Sequence, residues 1–269
     1  GAHCTGYREE PGFIEACFDN RPDERGDLLV GADGIHSVIC TRLQGRNNRR
    51  YSGYTCWRGI ADGFPEYNSS SGEFWGKGIR FGVVQISATK HYWYAAMNME
   101  QGKGETIQHP KAFLLQHYSG WAEQIPDLLE HTREEAIIQG DIIDRAPSRG
   151  WSSGRVCLLG DAAHPTTPNM GQGACMAIEG AMLLARSLEE SASYELAFQR
   201  YEDCHYERTR QVTNTSWKVG EVAQWSHPVS CWFRNMLMQC IPGAITKKQI
   251  LKLVDYDVVN TPLSELGEG

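Results

Sequence analysis

The stretch of sequence that decides the fold is residues 154–173, which read GRVCLLGDAAHPTTPNMGQG. Its apolar run, residues 156–159, predicts a strand buried on both faces, and this strand ends in Gly160 and Asp161. A loop with prolines and glycines follows, and amphipathic spacing then predicts a helix over 174–188. This order of strand, glycine, acidic residue, loop and helix is typical of the ligand-binding edge of an α/β sheet.

A second stretch has the same pattern. Residues 28–32 form a short apolar run that predicts another buried strand, and Asp33 and Gly34 follow it. Ligands of open α/β sheets bind outside the carboxyl ends of the strands, where an aspartate can accept hydrogen bonds from ribose or ribityl hydroxyls. The alternative for each aspartate is a cap on the following helix. Because the pattern occurs twice, the sequence favours the binding role.

The loop at residues 165–173 leads into a predicted helix whose first turn has no acidic residue. The N–H groups of such a turn are unpaired and carry the positive end of the helix dipole. This terminus suits a phosphate or the electron-rich edge of a flavin ring. A loop that only turns the chain is the alternative, but its prolines, its glycines and the preceding Gly-Asp favour a binding loop.

Aromatic residues are dense between residues 51 and 98, and alternation at 79–83 predicts an antiparallel sheet. This sheet is expected to form one wall of a pocket, although aromatic side chains in strands also serve as ordinary core. Trp57 and Arg58, on one of these strands, are candidates to face a substrate. Further along, spacing over residues 110–131 predicts a helix that is interrupted once by proline.

An apolar stripe near the end of the chain predicts a further helix. It consists of Val229, Trp232, Phe233, Met236, Leu237 and Cys240, at positions i, i+3, i+4, i+7, i+8 and i+11. The stripe could dock on a membrane or pack on its own domain. Because the opposite face is not rich in lysine, the sequence favours packing on its own domain.

Composition excludes several classes of function. The 269 residues include 26 Lys and Arg against 33 Asp and Glu, a net charge of −7, which argues against nucleic acid as a partner. The nine cysteines are irregularly spaced without a C-x-x-C pair, so they indicate neither a disulfide framework nor a metal site. Reduced thiols favour an intracellular location, cytoplasmic or organellar. No apolar run has membrane-spanning length, and the start at glycine leaves targeting unreadable.

The motifs carry a family resemblance. Residues 27–37, DLLVGADGIHS, resemble the DG motif of single-component FAD-dependent monooxygenases, which have the p-hydroxybenzoate hydroxylase-like fold. Residues 154–179 are similar to the GD motif and flavin loop of that family. Residues 51–60 and 141–147 resemble its zeaxanthin epoxidase and salicylate hydroxylase branch. The chain is identified as a member of this family over most of residues 25–210.

The resemblance implies the cofactor, the reaction and the site. FAD would be reduced by NAD(P)H and react with O₂, and one oxygen atom would pass to an aromatic or isoprenoid substrate. This chemistry belongs to the cofactor, so no catalytic side chain is assigned, and His164 is expected to support the loop rather than act as a base. Asp161 would bind the ribityl or pyrophosphate part of FAD. The implied cofactor-binding residues are Asp33, Gly34, Gly160, Asp161, Pro168, Gly171, Gln172 and Gly173.

The resemblance also implies an organisation. The expected fold is mixed α/β: an incomplete three-layer FAD-binding domain with an inserted antiparallel β-sheet substrate domain and C-terminal helices. The expected segments are a partial FAD-binding domain with the DG motif at 1–50, the substrate domain at 51–140, a second FAD-binding segment with the GD motif at 141–190 and a helical region at 191–269.

The chain departs from the family pattern at two points. Cys40 stands where the DG motif usually has arginine, which weakens the expected NAD(P)H role of that motif. The family also begins with a βαβ unit that contains G-x-G-x-x-G, and no such fingerprint occurs here. We therefore expect a carboxyl-terminal fragment of a monooxygenase. Two alternatives remain: a non-catalytic truncated product that binds FAD weakly or not at all, and a reductase or halogenase on the same fold, which residues 51–60 disfavour.

Overall fold

The computed structural model describes residues 1–45, 47–63, 71–122, 124–240, 251 and 254–266. The strands are β1 (Cys4–Glu10), β2 (Phe13–Phe18), β3 (Glu24–Gly26), β4 (Leu29–Gly31), β5 (Arg49–Asp62), β6 (Gly72–Trp75), β7 (Ile79–Gln85), β8 (Lys90–Asn98), β9 (Ile138–Arg145), β10 (Ser152–Ser153) and β11 (Val156–Leu158). The helices are α1 (Val38–Gln44), α2 (Pro110–Tyr118), α3 (Gln124–Glu130), α4 (Gly173–Glu190), α5 (Tyr194–Ala223) and α6 (Pro228–Cys240). This mixture confirms the predicted mixed α/β class.

The chain divides into two units. Unit 1 comprises Gly1–Arg50, Ile143–Val219 and Gly243–Gly269, and unit 2 comprises Tyr51–Ile142 and Gly220–Pro242. The long helix α5 contributes residues to both units. The segments that the family resemblance implies stay a prediction. Of the predicted helical region 191–269, residues 241–250, 252–253 and 267–269 lie outside the described residues.

Unit 1 contains two small sheets. β1, β2 and β3 pair antiparallel, and the second sheet has the order β10-β11-β4. In the second sheet β11 and β4 are parallel, with Cys157 opposite Val30. Buried side chains of β11, α1, α4 and α5 form one core, in which Leu158 and Leu183 are fully buried. A Cβ on Gly31 of β4 would lie 2.7 Å from Ile39 Cγ2, so only glycine lets α1 pack this close to the sheet.

Unit 2 is a five-stranded sheet with the order β6-β7-β8-β5-β9. β5, β6, β7 and β8 pair antiparallel, as the aromatic alternation predicts. Trp57, Phe81 and Trp93 are fully buried on one face, where they form a core with Leu114 of α2 and Leu129 of α3. The predicted single helix over 110–131 is thus two helices. Pro126 lies in the first turn of α3, where the missing N–H is not needed.

The prediction for the apolar stripe near the end of the chain is wrong in its orientation. The stripe does lie on one helix, α6, but Val229, Trp232, Phe233, Met236 and Leu237 are all exposed. The buried side chains of α6 are instead Cys231 and Arg234. Hydropathy alone misassigned the buried face, because Arg234 finds backbone carbonyl acceptors inside unit 2 that no sequence pattern reveals. None of the helices in the described part of the chain combines the length and apolarity needed to cross a membrane.

Candidate cofactor site

The two strand-end motifs meet at one edge of the small parallel sheet of unit 1. β4 and β11 run side by side in the same direction, and the N–H of Leu159 donates to the carbonyl of Gly31 at 2.9 Å. Both strands therefore end at the same edge, followed by Asp33 on one side and Asp161 on the other. This is the arrangement in which open α/β sheets bind ligands.

Asp161 presents an exposed carboxylate at this edge. Within the described residues it accepts no hydrogen bond, and solvent reaches its side chain. Burial by surrounding atoms nevertheless raises the pKa of Asp161, and the nearby Arg145 opposes this effect. Arg145 itself is engaged elsewhere, since it donates to the carbonyls of Ala162 and Ala163 at 2.5 and 2.9 Å. An exposed carboxylate without a partner among the described residues is suited to accept hydrogen bonds from a ligand.

Asp33 has a different role at the same edge. Its Oδ2 accepts from the N–H groups of Val38 and Ile39 at 2.9 and 3.3 Å, while Ser37 Oγ accepts from the N–H of Cys40 at 2.7 Å. Both side chains thus satisfy donors in the first turn of α1. One carboxylate oxygen of Asp33 therefore caps α1, as the alternative in the sequence analysis proposed. A contact between Asp33 and a cofactor stays a prediction.

Cys40, which departs from the family pattern, is fully buried. Arg145 donates to its Sγ at 3.0 Å and also to Asn47 Oδ1 at 2.9 Å. Burial raises the pKa of Cys40, with Arg145 opposing, so the thiol remains protonated at neutral pH. At the position where the family usually has arginine, this chain thus has a cysteine that contacts Arg145 of β9.

The predicted binding loop leads to an open helix terminus. Gly160 and Gly171 have positive φ angles of 60° and 63°, which suit glycine. The first turn of α4 has no acidic residue, and the side chain of Gln172 does not cap it. The N–H groups of residues 173–175 have no acceptor among the described residues. The positive end of this 18-residue helix is therefore free to interact with negative charge.

Helix α5 holds the loop through side chains of unit 1. Ser216 Oγ lies 2.7 Å from Thr167 Oγ1 and donates to the carbonyl of Thr167 at 2.6 Å, and Asn169 Nδ2 donates to the carbonyl of Ser216 at 2.8 Å. These buried bonds fix the loop just before Pro168 and Gly171.

A second clamp from α5 lies at the other end of the loop. Arg208 pairs with Glu179 of α4 at 3.2 Å and donates to Gln172 Oε1 at 3.2 Å. Both members of the ion pair are largely buried. Arg208 thus holds the side chain of Gln172. The backbone of the loop is then the part that is available to a ligand.

His164, which is expected from its sequence context to support the loop, packs among other buried rings of unit 1. It is buried, and its ring packs against His205 with centroids 5.1 Å apart and against Trp151 at 5.3 Å. His205 Nε2 lies 2.9 Å from the carbonyl of Met176, which assigns the proton to that nitrogen. Burial lowers the pKa of His164 well below its ordinary value and that of His205 to about 4. Both rings are therefore neutral and act in packing.

The two predicted substrate residues lie on opposite faces of the unit 2 sheet. Trp57 is fully buried beside Phe113 of α2, with ring centroids 5.4 Å apart. Arg58 is exposed on the other face, because successive strand residues alternate. That face also carries Tyr92 and Tyr94, which lie opposite Ile60 and Arg58 in the pairing of β5 with β8. The alternation was visible in the sequence and would have separated the two candidates.

Comparison with known proteins agrees with this geometry. Residues 19–216 match the family model described as FAD binding domain. Aurachin C monooxygenase/isomerase of Stigmatella aurantiaca is 44% identical over 246 residues, which cover 89% of this chain and 62% of that protein. The chloroplastic zeaxanthin epoxidase of Solanum lycopersicum is 44% identical over 194 residues, covering 71% of this chain and 29% of that protein.

The chain belongs to the FAD-dependent monooxygenase family. The crystal structure of Klebsiella pneumoniae HpxO complexed with FAD and uric acid superposes with a TM-score of 0.87 at 25% identity, covering 98% of this chain and 67% of that one. Of the two curated relatives named above, the chain spans 62% and 29% of the length, less than two thirds in each case.

The residues of unit 1 fit the flavin cofactor of this family. Asp161 offers a carboxylate without a partner among the described residues, and residues 173–175 offer unpaired N–H donors at a helix terminus. A Cβ on Gly171 would meet nothing within 4 Å, so the space beside the loop is open. Hydrogen-bond donors of a ribityl chain and the negative charge of a pyrophosphate or reduced flavin match these two features.

The sequence motifs did not predict the side chains that hold the site. Arg145, Arg208, His205 and Ser216 each contact the loop or its flanks from distant positions in the chain. Arg145 lies within the stretch 141–147 that resembles the family, which was the available signal. The other three lie on α5, whose helical pattern shows only that it has a buried face.

Proposed function

We propose that this chain is the flavin- and substrate-binding part of a monooxygenase that uses FAD, NAD(P)H and O₂ to hydroxylate or epoxidise an aromatic or isoprenoid compound. The observation that carries the proposal is that the segment following β11 at one sheet edge contains both the Asp161 carboxylate and the start of α4, neither of which has a hydrogen-bond partner among the described residues. The names of the two curated relatives, a monooxygenase/isomerase and an epoxidase, support oxygen transfer as the reaction.

When bound, FAD supplies the transfer of two electrons from NAD(P)H to O₂, so that one oxygen atom enters the substrate and the other leaves as water. Asp161 would accept hydrogen bonds from the ribityl hydroxyls. Gly171, Gln172 and Gly173, with the open N–H groups that follow, would hold negative charge on the pyrophosphate or on the ring edge. Pro168 would line the flavin pocket, and Gly160 would let the cofactor approach the backbone.

The exposed face of the unit 2 sheet supports an aromatic or isoprenoid substrate. Tyr92 and Tyr94 are partly buried there, with ring centroids 6.3 Å apart, beside the exposed Arg58. Aromatic rings offer flat apolar surface, and an arginine can stack on an aromatic ligand or pair with a carboxylate. We propose that this face, rather than Trp57, contacts the substrate.

Cofactor titration followed by turnover tests the proposal. Titrating the 269-residue chain with FAD should quench flavin fluorescence with one-to-one stoichiometry. Adding NADH or NADPH in air, with candidate aromatic and isoprenoid compounds, should then give nucleotide oxidation coupled to a product with one added oxygen atom. Uncoupled nucleotide oxidation without such a product would contradict oxygen transfer and favour a reductase.

A second candidate is that the chain binds FAD weakly or not at all and is not catalytic on its own. The absence of G-x-G-x-x-G in the sequence favours it. Among the described residues β4 also pairs with one strand only, β11. Absence of flavin quenching at FAD concentrations far above those of an ordinary flavoprotein would support this candidate, and tight stoichiometric binding would exclude it.

A further inference from the structure

Tyr94 of β8 lies within a row of residues that crosses the sheet of unit 2. Glu73 of β6 lies opposite Gly82 of β7 in the strand pairing, and Gly82 lies opposite Tyr94. On its other side Tyr94 lies opposite Arg58 of β5. Residues directly opposite one another share a face of a sheet. The whole row therefore belongs to the face that also carries Tyr92.

The ring of Tyr94 lies across β7 at a position where only glycine leaves room for it. A Cβ on Gly82 would lie 2.5 Å from the hydroxyl oxygen of Tyr94 and closer still to Cζ and Cε1. These three atoms form the phenol end of the side chain. Tyr94 thus reaches over the backbone of Gly82 toward β6, and any side chain at residue 82 would displace its ring.

A carboxylate and a buried arginine hold the hydroxyl end of Tyr94. Burial and the nearby Glu73 raise the pKa of Tyr94, so its hydroxyl stays protonated and donates to the Glu73 carboxylate. Arg80, which is 4% exposed, in turn pairs with Glu73 Oε1 at 3.1 Å and donates to the hydroxyl of Tyr54 at 3.4 Å. Because Glu73 is itself held, the orientation of the Tyr94 ring is fixed.

The other side of this ring faces away from the sheet, where Tyr94 remains partly exposed. The neighbouring row of the same face is apolar: Tyr92 lies opposite both Ile60 and Val84, which are 47% and 38% exposed. Aromatic rings attract one another in preferred relative orientations, and a ring that is already fixed loses little freedom on stacking. A flexible chain without a ring gains nothing from that orientation.

We propose that Tyr94 is a specificity-determining residue whose ring stacks on a planar aromatic substrate. This assignment rests on the proposed function, in which this face of unit 2 contacts the substrate, and it narrows the substrate class from aromatic or isoprenoid to planar aromatic. Gly82, Glu73 and Arg80 are positioning residues, since they act on the substrate through the ring of Tyr94.

Calorimetric titration of the chain in the presence of FAD tests the assignment. The planar probes are 2-naphthol and quinolin-4-ol, and the isoprenoid probe without a ring is farnesol. The parent chain should bind both planar probes at least about tenfold more tightly than farnesol, because only these stack on Tyr94. Tyr94→Leu should weaken binding of the planar probes about tenfold and change binding of farnesol by less than about twofold.

Two more variants separate the ring from its hydroxyl and from its position. Tyr94→Phe keeps the ring, so binding of the planar probes should fall no more than about threefold. Gly82→Ala keeps the ring but displaces it, so binding should fall about tenfold. Gly140→Ala in β9 is the matched control, because a Cβ there would meet nothing within 4 Å, and it should bind as the parent chain does. Circular dichroism should show that the Tyr94 variants are folded.

The outcomes for Tyr94 and for the proposed function are distinguishable. The assignment is overturned if neither planar probe binds the parent chain, if farnesol binds as tightly as the planar probes, or if Tyr94→Leu binds them as the parent does. An equal loss in Tyr94→Phe and Tyr94→Leu would also overturn it, because the hydroxyl rather than the ring would then matter. Flavin quenching and oxygenated product, measured separately, decide the proposed function.

Discussion

Asp33 and Asp161 occupy equivalent positions in the sequence pattern, but their carboxylates differ in their hydrogen bonds. Each follows a buried parallel strand at the same sheet edge. Asp33 accepts from two N–H groups of α1, whereas Asp161 accepts from none among the described residues. At the first motif the carboxylate stabilises the fold. At the second, the exposed carboxylate has no hydrogen-bond partner in the described part of the chain, which leaves it available to a ligand.

The largest expected effect is on cofactor binding at the second motif. Asp161→Asn should weaken FAD binding at least about 100-fold, on the order of 3 kcal/mol, because charge-assisted hydrogen bonds to the ribityl chain are lost. The same change should leave the melting temperature of the ligand-free chain nearly unchanged, because the exposed Asp161 carboxylate accepts no hydrogen bond from the described residues. Fluorescence titration and thermal unfolding measure the two effects. A stability loss of about 1 kcal/mol in Asp161→Asn, the size expected when a helix cap is removed, would contradict this difference between the two motifs.

Folding stability should also depend on pH through His205 of α5, which packs behind the second motif and contacts Met176 of α4. Burial lowers the pKa of His205 to about 4 from an ordinary value of 6.5, with Arg208 adding to the shift and the bond to Met176 opposing it. Between these values the unfolded chain binds more protons than the folded chain, so stability is complete above pH 6.5 and falls as the pH falls toward 4. The expected loss is about 3 kcal/mol for this ring.

Urea unfolding at a series of pH values measures this loss. His205→Gln keeps a donor for the carbonyl of Met176 and cannot titrate, so its stability should depend less steeply on pH. His109→Gln, at an exposed histidine, is the matched control and should follow the parent curve. Identical acid slopes for His205→Gln and the parent would show that His205 does not carry the effect.

The clamp from α5 should matter next. Arg208→Met leaves Glu179 largely buried without its partner and releases Gln172, so the unfolding free energy should fall by about 2 kcal/mol. FAD affinity should fall about tenfold, because the loop loses its fixed geometry. Arg210→Met is the matched control: Arg210 lies on the same helix but pairs with Glu207 at the surface, where the cost should stay under about 0.5 kcal/mol. Equal losses in both variants would argue against a specific clamp.

The contrast also shows what the sequence could and could not predict. Local patterns predicted the buried strands that became β4 and β11, the aromatic sheet and helix α4, because apolar periodicity and turn residues act over short distances. The separate fates of Asp33 and Asp161 depend on which donors lie nearby. Arg145, Arg208 and Ser216 reach the site across the chain, and no local pattern records such contacts. Helix α6 was misoriented for the same reason, since the acceptors of Arg234 are set by tertiary structure.

The smallest expected effects test the first motif. Ser37→Ala removes the acceptor for the N–H of Cys40 and should lower the unfolding free energy by about 1 kcal/mol, with FAD affinity unchanged. Asp33→Asn keeps an oxygen that can accept from α1, so stability should stay within about 0.5 kcal/mol of the parent. The FAD affinity of Asp33→Asn therefore measures the contribution of the charge of Asp33 separately from its capping role. We expect this affinity to fall only a few-fold. A loss as large as that of Asp161→Asn would mean that both aspartates bind the cofactor and that capping by Asp33 is secondary.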